Sequence, residues 1–337
     1  RCHGLSIGYE QSERGELFRD LELELRQGTL TCMMGPNGSG KSTLIKTLTG
    51  LIPPLNGEVS YLGNPNLVHN IRARAKVFSM VLTERSFVGL LRVRELVALG
   101  RHPHTGWLGH YGRVDFERIE WAMDAMHVST LRERFLHTLS DGERQRVLIA
   151  RALAQETPII FLDEPAAFLD LVHKVELMNT LRELTVGCQL TILMSTHDLE
   201  MALQYADSLW LLGPGDSFST GIPEDLLLSG KFERAFGGEE LEFDREKGIF
   251  HGKRRFHSQL YLSGDPVGLK WTRNALEKAG YAVAERSAAS DTHIEITGHD
   301  EDGTREWRVR SGSAEHCVCS VEALIRYLRS QENPHAS

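Results

Sequence analysis

The sequence predicts an α/β protein: a largely parallel sheet buried on both faces by helices, followed by a smaller α/β domain. Three observations lead there. Short apolar runs alternate with helix-length patterns over about the first 250 residues, the signal of a mostly parallel sheet covered by helices. Those runs are continuously apolar rather than alternating, as strands without a wet face require. The chain of 337 residues also exceeds a typical single domain, and its composition shifts near residue 252.

In chain order, "GTLTCMMG" (28–35) reads as a strand and "KSTLIKTLTG" as the helix after it, closed by Gly50. "TPIIFLDEP" (157–165), "QLTILMSTH" (189–197) and "DSLWLLGPG" (207–215) supply further strands. "DLVHKVELMNTLREL" is helical, with Leu171, Val175, Met178 and Leu181 near one face. Residues 86–156 read as a mainly helical subdomain. There "LSDGERQRVLIARAL" (139–153) opens a helix on a serine, an acid and a glycine and sets Val147, Leu148, Ala150 and Leu153 on its apolar face. From Lys253 onward, "SQLYLSG", "THIEITG" and "REWRVRS" suggest strands, while "LKWTRNALEKAG" and "SVEALIRYLRS" suggest helices. The expected domains are therefore 1–252 and 253–337, the second without a chemical motif.

A net charge of −8 with 41% hydrophobic residues suits a folded globular chain and argues against a nucleic-acid partner, which needs clustered Lys and Arg. No apolar run reaches membrane-spanning length, and no secretion-type leader pattern opens the chain, so a location inside the cell is expected. Cys2, Cys32, Cys188, Cys317 and Cys319 have neither disulfide nor zinc spacing and read as reduced thiols.

The chemistry begins at "GPNGSGKST". Gly35, Gly40, Lys41 and Ser42 fit G-x-x-x-x-G-K-[ST] between a strand and a helix. The loop Gly35, Pro36, Asn37, Gly38, Ser39, Gly40, Lys41, Ser42 and Thr43 then cradles phosphate with the backbone N–H groups of its non-proline residues. Lys41 reaches the β- and γ-phosphates and Ser42 ligates Mg²⁺. "IIFLDEP" ends a buried strand in two carboxylates: Asp163 to hold the metal and Glu164 to deprotonate an attacking water. His197 of "STHD" ends the next strand, placed to bond a γ-phosphate. A bare Asp–Glu turn or a structural histidine is the alternative for each alone, and the phosphate loop upstream favours chemistry. His102, His104 and His110 lack a ligand-like partner.

These motifs, in this order, resemble the ATP-binding subunits of ABC transporters over roughly residues 3–250. "LSDGERQRVLIARAL" is similar to that family's signature segment. The resemblance implies a P-loop NTPase core of ATP-hydrolysing type, with a mixed sheet and a helical subdomain. It implies ATP and Mg²⁺ as cofactors and a head-to-tail homodimer, in which the signature of one copy faces the phosphate loop of the other. By the same resemblance Tyr9 stacks on adenine, Ser140 and the Gly142 backbone contact the partner's γ-phosphate, and Leu169-Asp170 couples the two sites. Tyr9 as a plain strand end and Asp170 as a helix cap are the bland readings. Two positions depart from the family. Thr83 follows "VFSMVL" where the family carries a metal-touching glutamine, with Glu84 next to it. Asp141 stands in place of a glycine, and it is expected to turn away from phosphate and help cap the helix.

"VRELVALGRHPHTGWLG" is similar to the importer branch that handles iron–siderophore chelates, haem and cobalamin. The implied partners are membrane permease subunits and, indirectly, a substrate-binding protein, with the ATPase peripheral on the cytoplasmic face of the plasma membrane. A non-transport ABC ATPase or a P-loop phosphotransferase is the alternative. The first would call for a long heptad insertion or a second phosphate loop, and the second leaves the signature segment unexplained.

Overall fold

The computed structural model describes residues 1–9, 15–65, 67, 70–82, 90–106, 109–237, 241–245, 248–253, 255–284, 292–298, 305–312 and 314–332. The chain divides into two compact units, Arg1–His251 and Gly252–Ser337.

The first unit opens with β1 (Cys2–Gly8), β2 (Glu16–Leu23), β3 (Leu30–Met34), α1 (Lys41–Leu48), β4 (Asn56–Val59), α2 (Ile71–Arg74) and β5 (Phe78–Val81). Helices α3 (Val93–Ala98), α4 (Arg113–Ala125) and α5 (Asp141–Ala154) follow. The chain then alternates through β6 (Ile159–Leu162), α6 (Leu171–Cys188), β7 (Thr191–Ser195), α7 (Leu199–Tyr205) and β8 (Ser208–Leu212). Strand β9 (Phe218–Gly221), α8 (Pro223–Leu228), α9 (Lys231–Phe236) and the strands β10 (Leu241–Asp244) and β11 (Ile249–Gly252) complete this stretch.

Strands β5, β6, β7, β3 and β8 lie side by side in that order and run parallel, with β9 antiparallel at the edge. Their continuous apolar sequences have a direct cause. In β3, Leu30, Cys32 and Met34 enter one core while Met33 enters another. Strands β6, β7 and β8 split the same way, Phe161, Leu193 and Trp210 facing opposite to Leu162, Met194 and Leu211. The first core is filled by residues of α3 to α9. The second is closed by Leu44, Ile45 and Leu48 of α1 and by an antiparallel sheet, β2-β1-β4, carrying Leu5, Ile7, Phe18 and Leu21. Helix α6 departs from its expected face in one respect. Met178 and Leu181 are buried, but Leu171 is 68% exposed beside exposed Phe168 and Val172, so the buried face begins only after the first turn. In α5, Val147, Ala150 and Leu153 are buried and Leu148 packs against the same core.

The second unit contains β12 (Ser258–Gly264), α10 (Pro266–Lys278), β13 (Tyr281–Ala284), β14 (Thr292–Gly298), β15 (Arg305–Ser311), β16 (Ala314–Val318) and α11 (Val321–Glu332). Its sheet order is β13-β12-β14-β15-β16, parallel about β12 and antiparallel beyond β14. Alternate residues Leu260, Leu262, Ile294, Ile296, Trp307 and Val309 form the core with Leu276 of α10 and Leu324 and Leu328 of α11. The buried Trp307 indole donates to Thr272 Oγ1 at 2.7 Å.

No helix among the described residues is long and apolar enough to cross a membrane. The five cysteines are free thiols. Burial raises the Cys2 and Cys32 thiols to about 11 and about 12, out of the reactive range.

Candidate functional site

Strands β6, β7 and β3 are neighbours, so their carboxyl ends bring Asp163-Glu164, Ser195 to His197, and the loop 35–40 to one edge of the sheet. In open α/β sheets that edge is where ligands bind.

The loop is shaped by its glycines. Gly38 (φ 76°) and Gly40 (φ 100°) occupy the left-handed region that glycine adopts freely. A Cβ at Gly35 would collide with the Leu212 carbonyl and lie 2.7 Å from Ser39 Oγ. Pro36, Asn37 and Gly38 form the exposed tip. Gly40 stands at the N-cap of α1 without a side-chain cap, which leaves the first N–H groups of Lys41, Ser42 and Thr43 without a partner inside the helix. Lys41 is buried, its Nζ donating to the Gly35 and Pro36 carbonyls at 2.8 and 3.1 Å. Burial pulls its pKa below the ordinary lysine value, against the opposing pull of Glu164 and Asp163. Ser39 Oγ is buried with no protein partner. An orphaned hydroxyl, an uncapped helix start and a lysine folded back on its own carbonyls fit a polyphosphate.

Asp163 is buried and accepts from Ser42 Oγ at 3.0 Å and from Ser195 Oγ at 2.6 Å. One carboxylate and one hydroxyl are a hard-oxygen pair of the kind Mg²⁺ takes from a protein when phosphates and water fill its other positions. No cluster of three or more His, Cys, Asp or Glu able to hold a metal occurs among the described residues. Glu164 has φ 50°, an uncommon conformation for a residue with a side chain. It is held there by its own N–H, which donates to Ser195 Oγ at 2.8 Å. Its carboxylate lies 2.7 Å from His197 Nε2. Ser195 is the member that sequence reasoning passed over. It was visible in "STHD" as the strand-end hydroxyl two residues before His197.

Tyr9 follows β1, is 43% exposed, and its hydroxyl lies 3.3 Å from Thr43 Oγ1, which sets its ring beside the phosphate-loop helix. Ser140 is the N-cap of α5. It accepts from Glu143 N at 3.2 Å, and Glu143 accepts from Ser140 N at 2.8 Å, a reciprocal capping box. That second bond holds the Glu143 carboxyl below its usual range. Asp141 is not the cap, which corrects its expected role. As the first helical residue it reaches forward and pairs with Arg144 at 3.1 Å. Gly142 faces Leu169, whose Cδ2 would lie 2.8 Å from a Cβ there. Asp170 caps α6, accepting from His173 N at 2.9 Å and lying 2.8 Å from its Nδ1. No hydrogen bond or ion pair among the described residues joins Ser140 or Gly142 to the loop 35–43 of the same chain. Thr83 and Glu84 lie outside the described residues.

Residues 18–167 match the ABC transporter family, and residues 257–329 match the iron ABC transporter C-terminal domain. The petrobactin import ATP-binding protein FpuC of Bacillus anthracis is 36% identical over 251 residues, 74% of this chain and 91% of that protein. The ferric enterobactin transport ATP-binding protein FepC of Escherichia coli is 36% identical over 238 residues, 70% and 86% of the two chains. A cobalamin import ATP-binding protein of Halobacterium salinarum is also 36% identical, over 65% of this chain and 55% of its own length. Among solved structures, a metal-chelate type ABC transporter in an inward-facing conformation aligns at TM-score 0.60 with 27% identity, covering 74% of this chain and 94% of that one. A dimeric bacterial ABC transporter cassette aligns at 0.55 with 26% identity, covering 63% and 93%.

Proposed function

We infer that this chain, which belongs to the family of ABC transporter ATP-binding subunits, hydrolyses ATP to power import of a ferric siderophore, or of cobalamin, through separate membrane subunits. The observation that carries the hydrolytic reading is Glu164: a carboxylate fixed 2.7 Å from His197 and next in sequence to Asp163, which pairs with Ser42 of the phosphate loop. The match of the second unit to the iron transporter C-terminal domain supports an iron cargo, as do relatives named for petrobactin and ferric enterobactin.

The residues then act as follows. Lys41 exchanges the carbonyls of Gly35 and Pro36 for β- and γ-phosphate oxygens, and Ser39 Oγ gains the partner it lacks. Ser42 and Asp163 hold Mg²⁺, which when bound neutralises phosphate charge. Glu164 accepts the proton of a water attacking the γ-phosphorus as the bond to the β-phosphate oxygen breaks, and His197 donates to the γ-phosphate. Two copies pair head to tail, so that Ser140 and the Gly142 amide of each complete the other's site. Tyr9 supports the adenine and Asp170 links the paired sites. The pair works against the cytoplasmic face of a membrane permease served by a substrate-binding protein.

Purified protein given ATP and Mg²⁺ is expected to release inorganic phosphate with water as the only acceptor; a requirement for an organic acceptor would make it a phosphotransferase instead. Cells lacking the chain are expected to lose uptake of siderophore-bound iron and to regain it with the wild type but not with Glu164→Gln. For the second unit, Gly252–Ser337, the proposed role is regulation or partner binding. Removing residues 254–337 tests it, with transport lost and ATP hydrolysis kept as the expected result.

A further inference from the structure

His197 is carried on a three-residue turn between β7 and α7, and one side chain from another helix grips that turn. Asp198 N donates to Thr196 Oγ1 at 3.0 Å, and Thr196 N donates to the Met33 carbonyl at 3.0 Å, which ties the strand side of the turn to β3. On the helix side the two Asp198 oxygens are divided. Oδ1 caps α7 by accepting from Met201 N at 3.2 Å, and Oδ2 accepts from Lys174 Nζ at 3.0 Å. Lys174 stands on α6, one turn beyond its Asp170 cap, and is half-buried like Asp198. Lys174, Asp198, Glu164 and His197 line one cavity of about 470 Å³. A carboxylate bound at one oxygen swings about that bond, whereas one bound at both oxygens by different elements has a fixed plane, and the backbone it belongs to is fixed with it.

We propose that Lys174 is a positioning residue for ATP hydrolysis: through Asp198 it sets the turn that aims His197 at Glu164 and at the γ-phosphate. This rests on the reading of Glu164 and His197 as the hydrolytic pair. Lys174 touches neither the nucleotide site's phosphate loop nor the metal pair, so it acts on the rate of the bound state and not on ATP binding. A half-buried surface pair kept only for stability is the competing account, and it predicts a small change in unfolding with kcat untouched.

The substitutions separate these accounts in the full-length chain. Lys174→Met is expected to lower kcat about tenfold, the scale of a modest misplacement at a reacting centre, with KM for ATP unchanged and with Lys174→Arg restoring the rate. Asp198→Asn keeps a side-chain oxygen to cap α7 but loses the charge that holds Lys174, so it should reproduce the loss. In the double variant Lys174→Met/Asp198→Asn the two losses should not multiply, because both remove one interaction. An unchanged kcat in Lys174→Met, a KM effect in place of a kcat effect, or multiplying losses would each overturn the proposal. Glu164→Gln, assayed beside them, keeps the two readings apart. If it hydrolyses ATP normally the hydrolytic assignment itself fails, and if it is inactive while Lys174→Met is fully active only the positioning role fails.

Discussion

His197 Nε2 and Glu164 Oε1 lie 2.7 Å apart, so the side chains proposed as proton acceptor and as hydrogen-bond donor to the γ-phosphate hold each other. A carboxylate can only accept, so the proposed mechanism uses Nε2 as the donor of this contact. In that mechanism an incoming γ-phosphate competes for the Nε2 contact and frees Glu164 to take a proton from water. Glu164→Gln keeps the contact, since an amide oxygen still accepts, but cannot act as a base. ATP binding should be retained, hydrolysis should fall roughly 10²–10⁴-fold, and the variant should accumulate as an ATP-bound dimer. Phosphate release and size-exclusion chromatography with ATP check this, and wild-type turnover would remove Glu164 from the role.

Gly35→Ala tests the shape of the loop. A Cβ would press on the Leu212 carbonyl and approach Ser39 Oγ to 2.7 Å and Leu212 Cβ to 2.9 Å, and two of those three neighbours belong to β8, which cannot yield without disturbing the sheet. The loop must move instead. Fluorescent-nucleotide titration should show ATP affinity weakened at least about tenfold, equivalent to roughly 1.4 kcal/mol, with the fold kept by circular dichroism. Wild-type affinity would mean that the loop tolerates a side chain there.

The phosphate loop, Asp163, Glu164 and His197 were legible because each is a short motif at a strand end, and the parallel sheet brings strand ends together whatever the loops do. What stayed hidden depends on tertiary pairing. Ser195 carries no motif of its own, and only the pairing of β6 with β7 sets its hydroxyl against Asp163 and the Glu164 N–H. Asp141 is expected to turn from phosphate and help cap the helix, yet Ser140 precedes it and Glu143 answers it three residues on, so the capping box is already written in "SDGE". The antiparallel sheet of β1, β2 and β4 escaped because β2 and β4 carry mixed polarity. Strands β13 and β16 of the second unit escaped because β13 has only four residues, too few to show a period, and four of the five residues of β16 are exposed, which removes the alternation that marks a strand.

The core of the second unit contains one polar pair whose loss can be measured. Trp307 Nε1 donates to Thr272 Oγ1 at 2.7 Å, and Thr272 is fully buried. Thr272→Val is nearly the same shape but leaves the indole N–H unpaired, at a cost of about 1–3 kcal/mol. Amide exchange across α10 and β15 should accelerate by the corresponding factor. Unchanged exchange would mean that the indole finds another acceptor.

The capping box at the start of α5 makes stability depend on pH in one direction. The Ser140 N–H, the strongest influence on Glu143, holds its carboxyl below the usual glutamate value, with Arg134 and Arg146 adding to the effect. A carboxyl whose folded pKa is depressed binds protons more readily in the unfolded chain. Its contribution is therefore complete above the unfolded value of about 4.3 and is lost as pH falls through the lower folded value. Glu143→Gln preserves the side-chain acceptor of the box but does not titrate. Wild type should exceed the variant in unfolding stability near pH 6 by less than about 1 kcal/mol, because the pair is partly exposed. The gap should close as pH falls below about 4.3 and through the lower folded value, where the wild-type carboxyl protonates. Urea denaturation of both proteins across that range measures it, and a gap that widened in acid would show that the Ser140 bond does not favour the charged form.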